Sequence, residues 1–215
     1  AAFGPQHHIH LYTSIPFDPA HSKRFADAGL DEIRFHLLDG KLSRYIEVID
    51  ECSSLGIDVG IELPCEPDKS EDLFALLDEM DGTSVKFLNL NELEITVGNQ
   101  ENMDVRGFNL SGGLTAAAEG SFELAIELKE YAKGMSFHVK FCTASFKDAG
   151  QLRARFRRRA EVTLRPYEII SSDDTILFGA IPTDENDARD DIIDLSNHLD
   201  LSEGWIRYDP IARRI

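Results

Sequence analysis

Three short stretches put chemistry-bearing side chains at spacings that an extended strand turns to one side. In His7-His8-Ile9-His10, His8 and His10 are two residues apart, so both rings project the same way and could grip one metal ion. Arg34 and His36 share a face by the same rule, and a guanidinium there demands a carboxylate or phosphate partner. Glu62 lies in Gly60-Ile-Glu-Leu-Pro64, among apolar neighbours, so its charge has to be paired. Glu62 can be the partner of Arg34; alternatively, Arg34 holds a substrate carboxylate. With a further carboxylate from Asn91-Glu92-Leu93-Glu94, the residues His8, His10, His36 and Glu62 suggest a mononuclear or binuclear metal site. The plainer reading makes His7 and His8 linker residues and His10 a hydrogen-bonded strand residue.

Further along, alternation sets Asn89, Asn91 and Leu93 on one side of a strand and Leu88, Leu90 and Glu92 on the other. Asparagine is a poor core residue, so Asn89 and Asn91 are expected to face a site. Cys142 is either a reactive thiol near Lys147 or an inert buried cysteine. Neither GxGxxG nor GxxxxGK[ST] occurs, so no phosphate loop is expected.

The elements that must position these residues repeat one phrase. Apolar runs at His8–Tyr12, Glu32–His36, Asp58–Leu63, Val85–Leu90 and Phe137–Cys142 start at spacings of 24, 26, 27 and 52 residues. Their Val/Ile/Phe/Leu content suits strands covered on both faces. Between them, Lys41–Leu55 sets Leu42, Tyr45, Ile46, Ile49 and Cys52 on a helical stripe that Gly56 ends. Ser70–Met80 and Ser121–Lys133 are read as helices likewise, with Ser121 as an N-cap. Strands alternating with single helices imply a parallel α/β sheet, a barrel or partial barrel, whose sites gather at the carboxyl ends of the strands. Those ends carry His10, Tyr12, Thr13, Arg34, His36, Glu62, Asn89, Asn91, Glu92, Glu94, His138, Lys140 and Cys142.

Thr96–Gly120 lacks a period and reads as a loop able to cover a site. Residues 1–148 are taken as the barrel-like domain. Residues 149–215 form an appendage with an arginine-rich helix over Ala149–Ala160 and a hairpin from Glu161–Ile170 and Thr175–Ile181. An acidic stretch and a strand near Trp205–Tyr208 follow. Arg153, Arg155, Arg157, Arg158 and Arg159 are expected to pair with that acidic tail.

The 215 residues carry 22 Lys+Arg against 39 Asp+Glu, a net charge of −17 that repels phosphate backbones and makes nucleic acid an improbable partner. No apolar run is long enough to span a bilayer, and no leader opens the chain. Three scattered cysteines, Cys52, Cys65 and Cys142, argue against a disulfide framework and fit a reducing cytoplasm. The chain starts Ala1-Ala2-Phe3 without methionine, as a processed chain or the downstream piece of a longer one would.

Five ordered blocks then carry a resemblance. His8-Ile-His-Leu-Tyr-Thr13, Ala28-Gly-Leu-Asp-Glu-Ile-Arg-Phe-His36, Gly60-Ile-Glu-Leu-Pro64, Phe87-Leu-Asn-Leu-Asn-Glu-Leu-Glu94 and Cys142 followed by Phe146-Lys-Asp148 with Gln151-Leu-Arg-Ala-Arg155 recur in that order. Together they resemble an archaeal group of radical S-adenosylmethionine (SAM) proteins related to the pyruvate formate-lyase activating enzymes, over residues 7 to 181. The resemblance implies a partial (β/α)₆ barrel of which this chain supplies strands three to six. It also implies SAM and a [4Fe–4S] cluster as cofactors, and His10, Thr13, Arg34, His36, Glu62, Asn89 and Asn91 as the lining of a cofactor or substrate cleft. The CxxxCxxC loop that would hold the cluster is absent from this sequence. The expectation is therefore the substrate-facing C-terminal portion of an oxidoreductase-like activase, inactive without a cluster-binding half in the same polypeptide or a separate chain. The rivals are a metal-dependent hydrolase or isomerase using His8, His10, Glu62 and His36, and a noncatalytic partner subunit.

Overall fold

A computed structural model describes residues 4, 6–166 and 168–178 of the chain. Five strands, β1 (His10–Thr13), β2 (Glu32–Phe35), β3 (Asp58–Cys65), β4 (Phe87–Glu92) and β5 (His138–Cys142), pair in chain order, every neighbour parallel. Each crossover carries a helix, as parallel pairing requires: α1 (Ala20–Asp27), α2 (Ile46–Ser54), α3 (Ser70–Met80) and α5 (Ser121–Tyr131). The continuous run of five strands is one more than a third-to-sixth set accommodates.

The register sorts side chains into two faces. Ile33 and Phe35 on β2, Val59 and Ile61 on β3, and Leu88 and Leu90 on β4 are buried. They form one core with Ile49 of α2, Leu76 and Leu77 of α3, and Leu128 of α5. Each such side chain taken from water contributes about 1.5–3 kcal/mol, which fixes the helices on that face. The alternate positions carry Arg34, Glu62 and Asn89, which are absent from the core cluster.

Local sequence explains the joints. Gly56 ends α2 at a φ of +83° and its N–H donates to Ser53, a left-handed cap that a Cβ would strain. Within the expected helix over Lys41–Leu55, a 3₁₀ turn at Leu42–Arg44 precedes α2. The stripe of Leu42, Tyr45, Ile49 and Cys52 is buried, and the Tyr45 hydroxyl donates to Ser14 O at 2.9 Å. Ser121 is not the cap of α5: Gly120 takes that place at φ +79°, and the Ser121 hydroxyl accepts from Leu93 N and donates to Cys65 O, both at 2.8 Å.

Thr96–Gly120 is folded rather than an open loop. It contains α4 (Gln100–Val105) and antiparallel bridges Glu94–Ala117 and Leu110–Ala118. Leu93, Met103 and Ala118 build a small core there with Ile95 and Phe108. Its apolar residues come from separated points of the chain, so no period announces it.

The described residues divide into two compact units, the first ending at Lys147 and the second beginning at Asp148. In the second, a π-helical turn begun at Lys147 and ending at Leu152 leads into α6 (Arg153–Thr163), and β6 (Glu168–Ile170) pairs antiparallel with β7 (Ile176–Phe178). The helix takes up Glu161–Thr163, which the sequence assigns to a strand. Arg153 donates to Ser172 O at 2.6 Å and Arg157 to Asp174 at 3.0 Å and Glu161 at 3.2 Å. These two arginines therefore serve the hairpin turn; the acidic tail and the strand near Trp205–Tyr208 lie outside the described residues. No helix among the described residues is long and apolar enough to cross a membrane.

Candidate functional site

The face of the sheet opposite the core is a polar ladder. Register places Tyr12, Arg34, Gly60, Phe87 and His138 in one row across the five strands. The next row toward the carboxyl ends has Glu62, Asn89 and Lys140, and the one beyond it Pro64, Asn91 and Cys142. His36 continues the Arg34 side of β2 by alternation.

Glu62 is the hub of that face. Arg34 Nη1 donates to its Oε2 at 3.0 Å, Asn89 Nδ2 to the same oxygen at 3.3 Å, and Asn91 Nδ2 to Oε1 at 3.1 Å. Donors from β2 and β4 thus converge on one carboxylate of β3, and the Arg34–Glu62 pair expected as one alternative is formed. Arg34 also donates through Nε to Glu32 and through Nη1 to the Tyr12 hydroxyl. Its guanidinium lies 5.0 Å from the centre of the Tyr12 ring and 5.6 Å from that of Phe87, within cation–π range. Burial pulls against the charge of Arg34, but its bonds to Glu32 and Glu62 outweigh that and hold its pKa above the ordinary value. Burial and the nearby Glu62 carboxylate push the Tyr12 phenol up.

Gly60 makes the aromatic part of this row possible. A Cβ built there would lie 2.1 Å from the Phe87 ring, so only glycine lets the ring lean across β3 toward Arg34.

A second group sits at the start of β1 and β2. His8 Nε2 stands 3.4 Å from Glu32 Oε2, and donor atoms of His8, His10 and Glu32 all fall within 4.8 Å of one another. His10 is in register with Glu32. The metal set expected from sequence included Glu62 and His36 with these histidines. Glu62 is instead engaged by Arg34, Asn89 and Asn91, and Glu32 takes the carboxylate position. Sequence reasoning passed over Glu32 because it opens its strand, although it shares the parity of Arg34.

Thr13 stands apart from the cleft residues. It is paired with the buried Phe35, on the core parity, and its hydroxyl donates to Ile15 O at 3.1 Å in a turn. Arg34, Glu62, Asn89 and Asn91 are brought into one network; His10 lies edge-on to Tyr12 at 5.2 Å beside it.

Beyond Asn91, Glu92 turns to the other side and its carboxylate accepts from Ala144 N at 2.6 Å, while Lys147 binds Glu94. The three cysteines are dispersed. Cys52 is buried in α2 and donates to Ser22 Oγ at 3.3 Å. Cys65 is buried on the core parity of β3, whereas Cys142 pairs with Asn91 on the polar parity of β5. Burial pushes the Cys65 thiol up to about 12 and raises that of Cys52. Two protonated thiols on separate elements and a third on the opposite face do not fit the compact thiolate trio that an iron–sulfur cluster needs.

No family model matches the sequence. Over an alignment of 219 positions the chain is 32% identical to a protein of Methanocaldococcus jannaschii provisionally named a glycyl-radical enzyme activating enzyme. The match takes in 97% of this chain and 56% of that protein, so the chain spans about half the length of the relative.

Proposed function

We propose that the chain is the cofactor- and substrate-facing part of a radical SAM activating enzyme, an iron–sulfur oxidoreductase in the wider sense. The observation that carries this reading is the 32% identity that runs along nearly the whole chain to a relative named as an activating enzyme. A five-stranded parallel sheet with one helix-covered and one polar face supports it, as part of a (β/α) barrel would have that form.

Because Cys52, Cys65 and Cys142 do not fit a cluster, the [4Fe–4S] group belongs to a different region, in the same polypeptide or a separate chain. This chain's residues act by binding and orienting. Asn89 and Asn91 hold the Glu62 carboxylate in place, Glu62 and Glu32 hold the Arg34 guanidinium beside the Tyr12 and Phe87 rings, and the guanidinium presents donors to a bound polar molecule. His10 and His36 flank the network on the same parity. The substrate is a small molecule or a protein segment, and the setting a reducing cytoplasm.

The test is iron and sulfide content together with SAM binding by calorimetry, without oxygen. This chain alone is expected to carry no iron and to bind SAM weakly. With the cluster-binding region present, SAM binds, and Arg34→Ala or Asn91→Ala weakens it about tenfold or more while iron content stays unchanged. About four irons on this chain alone, or SAM binding indifferent to both substitutions, overturns the reading.

A further inference from the structure

We infer that His8, His10 and Glu32 form a binding site for one late first-row divalent ion, of which Zn²⁺ is the type case. The site adjoins the Glu62 hub, since Arg34 binds both Glu32 and Glu62, but its ligand atoms are separate, and the inference does not rest on the activating-enzyme reading.

The first argument is distance. Two donors each about 2.0–2.1 Å from a tetrahedral zinc stand roughly 3.4 Å from one another. His8 Nε2 and Glu32 Oε2 are 3.4 Å apart, and no pair in the trio exceeds 4.8 Å. Small side-chain rotations bring the third ligand into place.

The second argument is preorganisation. Ile9, between the two histidines, is clamped to the next strand: its N–H donates to Asp31 Oδ2 at 2.7 Å, and its carbonyl accepts from the N–H groups of Asp31 and Glu32. The backbone that sets the two rings on one side is therefore fixed by the residue that carries the carboxylate and by its neighbour. The His10 ring is further held edge-on to Tyr12 at an interplanar angle of 89°.

The third argument is the division of Glu32. Arg34 Nε binds Oε1, and Oε2 faces His8. A carboxylate ligand oriented by an outer hydrogen bond is what tight metal sites use. Two imidazoles and one carboxylate suit zinc and its neighbours rather than calcium or magnesium, and three protein ligands leave a coordination position for water or another ligand.

Metal-free chain titrated with Co²⁺, then displaced with Zn²⁺, decides the matter. One ion per chain is expected, with visible cobalt absorption and no thiolate charge-transfer band. His8 is exposed on the segment before β1, so His8→Ala leaves the fold intact; it and His10→Ala should each weaken binding about tenfold or more, at least what loss of an outer partner costs. His7→Ala should leave it unchanged. Absence of binding at millimolar Co²⁺, affinity unmoved by both His8→Ala and His10→Ala, or a thiolate band pointing to a cysteine would each overturn the assignment.

Discussion

The two faces of one sheet use the same strands for opposite ends. On the helix-covered face, Ile33, Phe35, Ile61, Leu88 and Leu90 lie in a continuous apolar layer, all essentially without solvent contact. On the other, the residues one position along, Arg34, Glu62, Asn89 and Asn91, are joined by hydrogen bonds through Glu62, and Arg34 extends them to Glu32 and Tyr12. Removal of a side chain from the first face leaves a cavity that packed neighbours fill poorly. Loss of Arg34 or Glu62 from the second leaves groups that water can still reach, since these two keep 18% and 21% of their side-chain surface, although Asn89 beside them is buried. One face is an apolar layer and the other a polar network, so the two should respond differently to substitution.

The largest effect belongs to the apolar layer. Phe35→Ala is expected to cost about 3–5 kcal/mol in urea denaturation; a loss under 1 kcal/mol would show that the layer is not the main store of stability. Gly60→Ala comes next, at about 1–3 kcal/mol, because a new methyl displaces the Phe87 ring. If that ring is the cause, Phe87→Ala in the same chain should recover much of the loss, whereas simple additivity would place the strain in the backbone. Arg34→Ala should cost less, about 1–2 kcal/mol, while removing most binding to the polar face. A cooperative collapse in that variant would erase the distinction between the faces.

The smallest effect is a pH dependence. The Tyr12 phenol is harder to ionise in the fold than in the unfolded chain, through burial and the Glu62 charge. A group whose pKa rises on folding contributes fully below its unfolded value, ordinarily near 10, and loses that contribution as pH climbs through the raised one. The difference in ultraviolet phenolate absorbance between the chain and Tyr12→Phe should therefore develop above pH 10. A midpoint below 10 would mean that Arg34, whose charge acts in the other direction, dominates the site.

Much of this contrast was legible in the amino-acid order, since alternation alone separates Leu88 and Leu90 from Asn89 and Asn91, and Arg34 from Phe35. The strands and the helix Ser70–Met80 were readable because burial imposes a period on consecutive residues. What was not readable depends on register between strands. Glu32 becomes a partner of His8 and His10 only when β1 and β2 align His10 with Glu32. Thr13 looked like a cleft residue from its place at a strand end, but parity carries it to the side of Phe35. The small core of Leu93, Met103 and Ala118 is assembled from distant positions and leaves no local pattern. Arg153 and Arg157 meet Ser172 and Asp174 in a nearby turn, a contact that closes at little entropic cost and that composition alone does not announce.

Ser121 bears on how the sheet moves. One hydroxyl holds the ends of two strands at once, through Cys65 O and Leu93 N, and it is itself sealed from solvent. Opening either strand end would leave the buried Ser121 hydroxyl short of one of its two partners, a cost that ties the carboxyl ends of β3 and β4 to the same side chain. The rim beside Asn91 is thus a hinge without play: whatever docks on the polar face meets a pinned lip on this side.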